Sequence, residues 1–494
     1  MILAMTRFMY LVISFFWLAL QLAGAQARDP SLAAIGASLE KHDYQAALAQ
    51  TGTLLQQQPQ DARLWVAQGL ALRGLQRTSE SLDSFEHSLL LRPGNLMALE
   101  GAAEAAYTLQ NPKAQRFIDR VLTADPSNPV ANAMSGSLAY EHGDCARAIT
   151  SFDAAGEILE GNTIASLQFS HCLVLSGEAA KAVTVLQPLQ QRDNTRLVAF
   201  DFAYALFYAA SYEHSAAVLE QLRKQGDDSA ELWDLLGADY NKLDRVPAAL
   251  DAYRNACDKA PDVAGYYIDL ARFAMEHSST DAALKVLGTA ITNIPHSAAL
   301  FTVRGSIYSF AGDSAKAETD FESAESVDPK SGYGGVGKSL LLSQEGKSLD
   351  AQQLLRIELK KNPNDNEVKY FLAEALSKDP TPSNNEEAEH LLTDVFKERP
   401  DDPNVLLALS KTHLVKHESQ AALILLQHAR EVDPDSAPIL NHLLQTYRTL
   451  GMRQESAAIA GQLRSIVDQN REAELRRNRF QIMASSGQQR ESKN

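Results

Sequence analysis

The sequence predicts an all-α chain folded as an α-solenoid of about thirteen helix-turn-helix units, and three observations carry that reading. Proline keeps a 34-residue clock: Pro261, Pro295, Pro329 and Pro363 follow at that interval, as do Pro59 and Pro93, and Pro400 and Pro434. Small and large residues alternate as Ala249, Tyr253, Ala256, then Ala317, Phe321, Ala324, then Ala422, Leu426, Ala429. That i, i+4, i+7 spacing is one face of a 3.6-residue helix. The pairs Asp125-Pro126, Asp328-Pro329, Asn362-Pro363 and Asp433-Pro434 recur where a helix must stop, because the residue before proline is steered away from α geometry.

The elements follow in order. Arg7 precedes an apolar run from Phe8 to Leu20, and Ala23-Gly24-Ala25 has the small-x-small form of a cleavage site. Residues 1–25 are expected to be a secretory signal peptide, cleaved after Ala25 to leave Gln26 first. The run is short for a membrane span, which needs about 20 residues; the alternative is an uncleaved anchor, the one route to membrane contact. No cysteine follows the run, as a lipoprotein would need. Residues 26–468 hold the repeats, with units starting near Arg28, Ala62, Leu96, Pro129, Thr163, Arg196, Ala230, Ala264, Ala298, Gly332, Asn366, Pro403 and Ala437.

Within a unit, bulky residues of the first helix (Trp65, Trp233, Tyr267, Phe301) act as knobs. Gly69, Gly101, Gly136, Gly237 and Gly305 let two helices approach closely. Gly143-Asp144 and Gly312-Asp313 make the turn between the two helices, glycine for the bend and aspartate as the cap. The units at Thr163 and Arg196 lack the closing proline, which makes 160–228 a candidate hinge. The unit at Asn366 takes its three extra residues at the internal turn, Lys378 to Ser383. Residues 469–494 complete a capping helix that starts near Ser465 and add a disordered tail rich in Ser, Gln and charge.

The fullest copy reads Trp233, Leu236, Gly237, Tyr240, Ala249, Tyr253, Ala256, Pro261. Eleven segments sharing this template in 34-residue register resemble the tetratricopeptide repeat, over about residues 28–468. The resemblance implies a right-handed superhelix of more than one turn, with first helices lining a concave groove that takes protein or peptide partners. It also implies, for an exported bacterial member, work in envelope assembly such as polysaccharide export, secretion or pilus machinery. The style of the signal suggests a Gram-negative periplasm. The family's paired Lys, Asn and Arg clamp for a terminal carboxylate is not found here, which leaves chaperone-tail binding unsupported.

Composition excludes several classes. The net charge is −16 and no basic-aromatic interleaving occurs, which argues against nucleic acid. The one basic cluster, Arg476, Arg477 and Arg479, reads as a solvated helix face. The 12 histidines are scattered without metal spacing, and neither H-E-x-x-H nor G-x-S-x-G occurs, so no enzyme, metal or cofactor is expected. Gly332-Tyr333-Gly334-Gly335-Val336-Gly337-Lys338-Ser339 matches a phosphate-binding loop, but no strand precedes it and it falls inside a first helix. It reads better as a locally weak helix, since interior glycine costs about 1 kcal/mol, with room for a ligand backbone. Cys145 and Cys172 fall on neighbouring elements. Either a disulfide joins them, or both pack as small apolar residues; Cys257 is left over.

The candidate site is the first helix containing Phe200-Asp201-Phe202-Ala203-Tyr204-Ala205-Leu206-Phe207-Tyr208. On the resembling register Phe200, Tyr204, Phe207 and Tyr208 point into the groove. Leu167, His171 and Val174 flank them on one side, Asp234 and Asn241 on the other, while Phe202 and Ala203 face the core. An aromatic patch on a concave face anchors a peptide, unless these rings serve internal packing. The expected function is therefore an exported, non-enzymatic scaffold or adaptor holding a protein or peptide partner. The alternatives are a polysaccharide-binding component of an export system, with Tyr204 and Tyr208 stacking on sugar rings, and a structural oligomerisation module.

Overall fold

The computed structural model describes residues 30–277 and 279–467. The expected signal peptide and residues 468–494, with most of the expected capping helix, lie outside the described residues. Among the described residues every long element is an α-helix, and the helices form thirteen consecutive pairs. In chain order they are α1 (Pro30–Glu40) and α2 (Tyr44–Gln57), α3 (Ala62–Gly74) and α4 (Thr78–Leu91), α5 (Leu96–Thr108) and α6 (Ala114–Ala124), α7 (Pro129–Glu141) and α8 (Cys145–Ala155), α9 (Thr163–Leu175) and α10 (Ala179–Arg192), and α11 (Arg196–Tyr208) and α12 (Tyr212–Lys224). Next come α13 (Ala230–Lys242) and α14 (Val246–Lys259), α15 (Ala264–Glu276) and α16 (Thr280–Asn293), and α17 (Ala298–Phe310) and α18 (Ser314–Val327). The last are α19 (Tyr333–Gln344) and α20 (Ser348–Lys361), α21 (Asn366–Ser377) and α22 (Pro382–Glu398), α23 (Pro403–Val415) and α24 (Ser419–Val432), and α25 (Ala437–Thr449) with α26 (453–467). Such an order is an all-α repeat solenoid.

Local chemistry sets the boundaries. Asp61, Asn95, Asn128, Asn162, Asp365 and Asp402 cap first helices by accepting from backbone N–H groups that would otherwise lack a partner. The caps Asp125, Asp328, Asn362 and Asp433 leave their helices with φ between −139° and −129°, the extended geometry their following prolines require. Turns from first to second helix pass through the left-handed region. Gly143 (φ 75°) and Gly312 (φ 84°) do so freely, and Asp144 and Asp313 then cap the next helix. At Gln76, Gln110 and Ala210 the same turn is made without glycine, which costs each about 1–2 kcal/mol.

The chain divides into two compact units: Met1–Asp228 with Ala238–Arg245, and Ser229–Gly237 with Val246–Asn494. The division therefore runs through α13. In the first unit the units at Thr163 and Arg196, despite missing prolines, are regular helix pairs. A short 3-10 turn (Gly156–Gly161) precedes α9, and Pro188 sits inside α10.

The first unit is knit by a ring-into-glycine contact. The Phe85 ring on α4 is fully buried and lies over Gly69 of its own repeat and Gly101 of the next. Phe152 on α8 likewise covers Gly136. Trp65 is less buried than its knob role implies; its indole N–H donates to the Pro59 carbonyl (2.8 Å) and it stacks on His87. On the second helices an ion-pair ladder runs Glu86–Lys113 (2.7 Å), Asp119–Arg147 (3.3 Å), Asp153–Lys181 (2.8 Å). Being exposed, each pair contributes at most about 1 kcal/mol, so register comes from the rings.

The second unit repeats the device: Tyr253 lies over Gly237, and Phe321 over Gly305 and Gly337. This corrects the reading of the Gly332–Ser339 segment. Gly332 (φ 66°) caps α19, and the helix then runs unbroken. The room above Gly334, Gly335 and Gly337 is filled by Phe321, Glu325 and Glu358, which leaves no space for a ligand backbone. Lys338 pairs with Glu325 (2.8 Å) and the Ser339 hydroxyl donates to the Val336 carbonyl.

A methyl group at Gly101 would overlap the Phe85 ring, whereas one at Gly52, mid-helix on α2, meets nothing within 4 Å. Gly101→Ala is therefore expected to lose about 1–3 kcal/mol. Gly52→Ala should gain about 0.5–1 kcal/mol from helix propensity. Urea titrations followed by circular dichroism check both.

Candidate functional site

Helix α11 turns Val198, Ala199, Ala203, Ala205 and Leu206 into the core. Its other face carries the candidate rings. Tyr204 and Tyr208 are in contact (4.7 Å between centroids), and Phe207 meets Tyr208 edge-on at 5.3 Å. Phe207 also packs on Tyr212 of α12 at 5.5 Å, so its ring turns toward its own second helix. Phe200 is half-buried beneath the Arg196 guanidinium, 5.7 Å from its centroid, and Arg196 is itself paired with Asp227. Phe202 packs partly buried against the core and Ala203 is fully buried.

Helix α9 packs directly against α11. Counting from the first residue of each helix, positions 2, 6, 9 and 13 are Ile164, Gln168, His171 and Leu175 on α9, and Leu197, Asp201, Tyr204 and Tyr208 on α11. These spacings place each set on one helical face. The ends of both rows are exposed apolar groups: Ile164 42%, Leu175 60%, Leu197 54% and Tyr208 53%. His171 is exposed and shares a 2.9 Å hydrogen bond with the Tyr140 hydroxyl of α7. Leu167 and Val174, expected in the groove, are instead buried, because positions 5 and 12 rotate toward neighbouring helices.

Two members of these rows escaped sequence reading. Asp201 is half-buried, with no cation or hydrogen-bond donor beside it, and burial alone pushes its carboxyl up to about 6. Gln168 Oε1 is enclosed with no hydrogen-bond partner. The same rows hold Tyr204, whose hydroxyl burial pushes well above the usual phenol range, helped by Tyr208 and Asp201. A polar residue between aromatics at i−1 and i+1 was the available signal.

The remaining candidates lie on α13. Asn241, half-buried, belongs to the first unit. Asp234 belongs to the second; its Oδ1 is enclosed without a partner, and burial raises its carboxyl to about 6 against the opposing pull of Arg272. Cys145 and Cys172 are disulfide-bonded, with Cα atoms 5.0 Å apart, joining α8 to α9 next to the α9–α11 face. Cys257 is buried and free. Among the described residues no cluster of His, Cys, Asp or Glu could hold a metal, and no helix is long and apolar enough to cross a membrane.

Asp239 of α13 is a different case from Asp201. It is fully buried in the first unit, neither carboxylate oxygen has a partner, and the adjacent Ser215 hydroxyl donates to the Ala203 carbonyl. Burial, opposed by the nearby Ser215 hydroxyl and helped by Glu213, pushes it from 3.8 to about 7. The folded chain thus holds a proton that the unfolded chain releases near pH 4. Stability from this group is complete below that pH and is lost as pH rises through about 7. Asp239→Asn should flatten the stability decline of the first unit between pH 5 and 8, and should exceed the wild type at pH 8. Hydrogen exchange of α12 and residues 238–245 across that range reads it.

With this geometry in place, residues 298–331, the α17–α18 pair, match the tetratricopeptide repeat family. No curated protein matches the chain. Solved structures similar to it include yeast Tom70 (15% identity, 87% of this chain and 97% of that one, TM-score 0.43). Others are the APC/C Cut9–Hcn1 hetero-tetramer (12%, 86% and 98%, 0.35) and a tetratricopeptide repeat protein from Parabacteroides merdae (18%, 57% and 97%, 0.36). The matched pair is one of thirteen helix pairs among the described residues, and the ring-over-glycine contact recurs from Phe85 to Phe321; the chain is an all-α repeat solenoid that carries a tetratricopeptide repeat at residues 298–331.

Proposed function

We propose that this chain is an exported scaffold that holds a protein or peptide partner on the face formed by α9 and α11. The fold is one that serves protein–protein interaction. One observation carries the assignment to this face: apolar and aromatic side chains stand exposed at matching positions of two successive first helices. Folding gains nothing from exposing Ile164, Leu175, Leu197 and Tyr208, and exposed apolar groups repeated at matching positions of neighbouring helices suit an interaction site. Rigid helices present them, so binding orders little of the scaffold and loses little entropy.

Export is supported by the signal-like residues 1–25 and by the Cys145–Cys172 bond, a linkage that persists in oxidising compartments. A periplasmic setting, with a role in envelope assembly or secretion, fits both. In that setting the partner is a protein segment, and the scaffold's part is to hold it while other components act.

The test uses protein purified from the exported fraction, whose first residue should be Gln26. The double variant Tyr204→Ala, Tyr208→Ala should lose its co-purifying partner, with affinity lowered at least about tenfold, since such central aromatic contacts carry about 2 kcal/mol or more. Its melting temperature should stay within a few degrees of the wild type. An unchanged partner, or a collapse in stability, would assign these rings to internal packing instead.

A further inference from the structure

The α9–α11 face is apolar at its ends and acceptor-rich at its middle. Asp201 and Gln168 occupy the same position, the sixth, of two adjacent first helices, and neither the half-buried Asp201 carboxylate nor the enclosed Gln168 Oε1 has a donor. Such acceptors cost stability when half-buried and unmet. Nothing on either helix meets them: α9 carries no lysine or arginine, and the single arginine of α11, Arg196, is paired with Asp227. The tyrosine pair Tyr204–Tyr208 lies one turn further along the same row, with Tyr208 open to solvent.

We propose that this face binds a peptide segment presenting an arginine between apolar side chains, the guanidinium meeting Asp201 and Gln168 and lying on the Tyr204–Tyr208 rings. This rests on the scaffold reading above. Charge complementarity commits the occupant: the face offers one carboxylate and no free cation, on a chain of net charge −16. Arginine fits better than lysine for three reasons. Its planar head has five donors, enough to serve acceptors on two helices at once. It stacks flat on aromatic rings. It is more weakly hydrated than an ammonium, so a half-enclosed site is less costly to enter. Leu197, Ile164 and Leu175 then take the flanking apolar side chains. A sugar would also stack on Tyr208, but neutral hydroxyl groups do not balance a carboxylate without a countercharge.

The probe is a set of four fluorescent nonapeptides in one Leu/Phe frame, with arginine, citrulline, lysine or glutamate at the centre, titrated onto the full exported chain. Citrulline keeps the shape of arginine and removes its charge. The wild type should bind the arginine peptide at least about tenfold more tightly than the citrulline peptide, as a charged hydrogen bond is worth. Lysine should fall between them and glutamate last. Asp201→Asn should bring the arginine peptide to the citrulline level. Gln168→Glu should widen the gap, which keeps a readout should the Asp201 variant fail to fold. Tyr204→Ala with Tyr208→Ala should weaken all four. Equal binding of arginine and citrulline peptides by the wild type overturns the inference and leaves the scaffold reading standing. Binding of none of the four overturns it as well, and if a β-glucan oligosaccharide binds in their place, the scaffold reading falls with it.

Discussion

An aromatic ring set over a glycine is the contact on which the stack depends. A second helix can bury a whole benzene ring against a first helix only where that helix offers bare backbone. Phe85 does this twice, over Gly69 within its repeat and over Gly101 of the next, so one side chain fixes both the pair and the succession of pairs. Phe152 over Gly136, Tyr253 over Gly237 and Phe321 over Gly305 and Gly337 repeat the arrangement within their own units. Because the ring is rigid and the fit is close, the first helix cannot rotate. Where the contact occurs, it fixes which side of the first helix faces the core.

The proposed face lies on two first helices that reach the same orientation without that contact. On α9 and α11, which carry no glycine, the buried residues Ala165, Ser170 and Cys172, and Val198, Ala203 and Ala205, set the side that faces the core, and positions 2, 6, 9 and 13 lie outward or at the edge. In α9 and α11 they are Ile164, Leu175, Leu197 and Tyr208, with Gln168 and Asp201 between them. The disulfide from Cys145 to Cys172 lies one residue from His171, so the same helix that presents the face is covalently tied to the repeat before it. A rigid presentation of apolar groups around unmet acceptors is what a recognition surface requires.

Much of the fold was legible because its signals are local and repeated. Proline, Asp-Pro and glycine act within a few residues, and the 34-residue clock located helix starts such as Ala62, Leu96, Pro129 and Ala298 to the residue. The segment Gly332–Ser339 was misread as loose, since the residues that fill it, Phe321 and Glu358, come from two other helices. The site was legible in part. Register alone put Tyr204 and Tyr208 on the open face, but it also put Phe207, Leu167 and Val174 there, and only packing shows that Phe207 leans on Tyr212. Asp201 and Gln168 went unremarked because the mark of their interest is a missing partner. A sequence can show that a carboxylate exists; three-dimensional neighbours are needed to show that it stands unanswered.

The most direct measurement is site-specific photo-crosslinking in cells, comparing probes at Leu175 and Leu197 on the α9–α11 face with one at Leu90, which is 78% exposed on the second helix α4. The account predicts the same protein adduct from positions 175 and 197 and none from position 90. An adduct from position 90 with neither of the others, or self-adducts alone at all three, would contradict it.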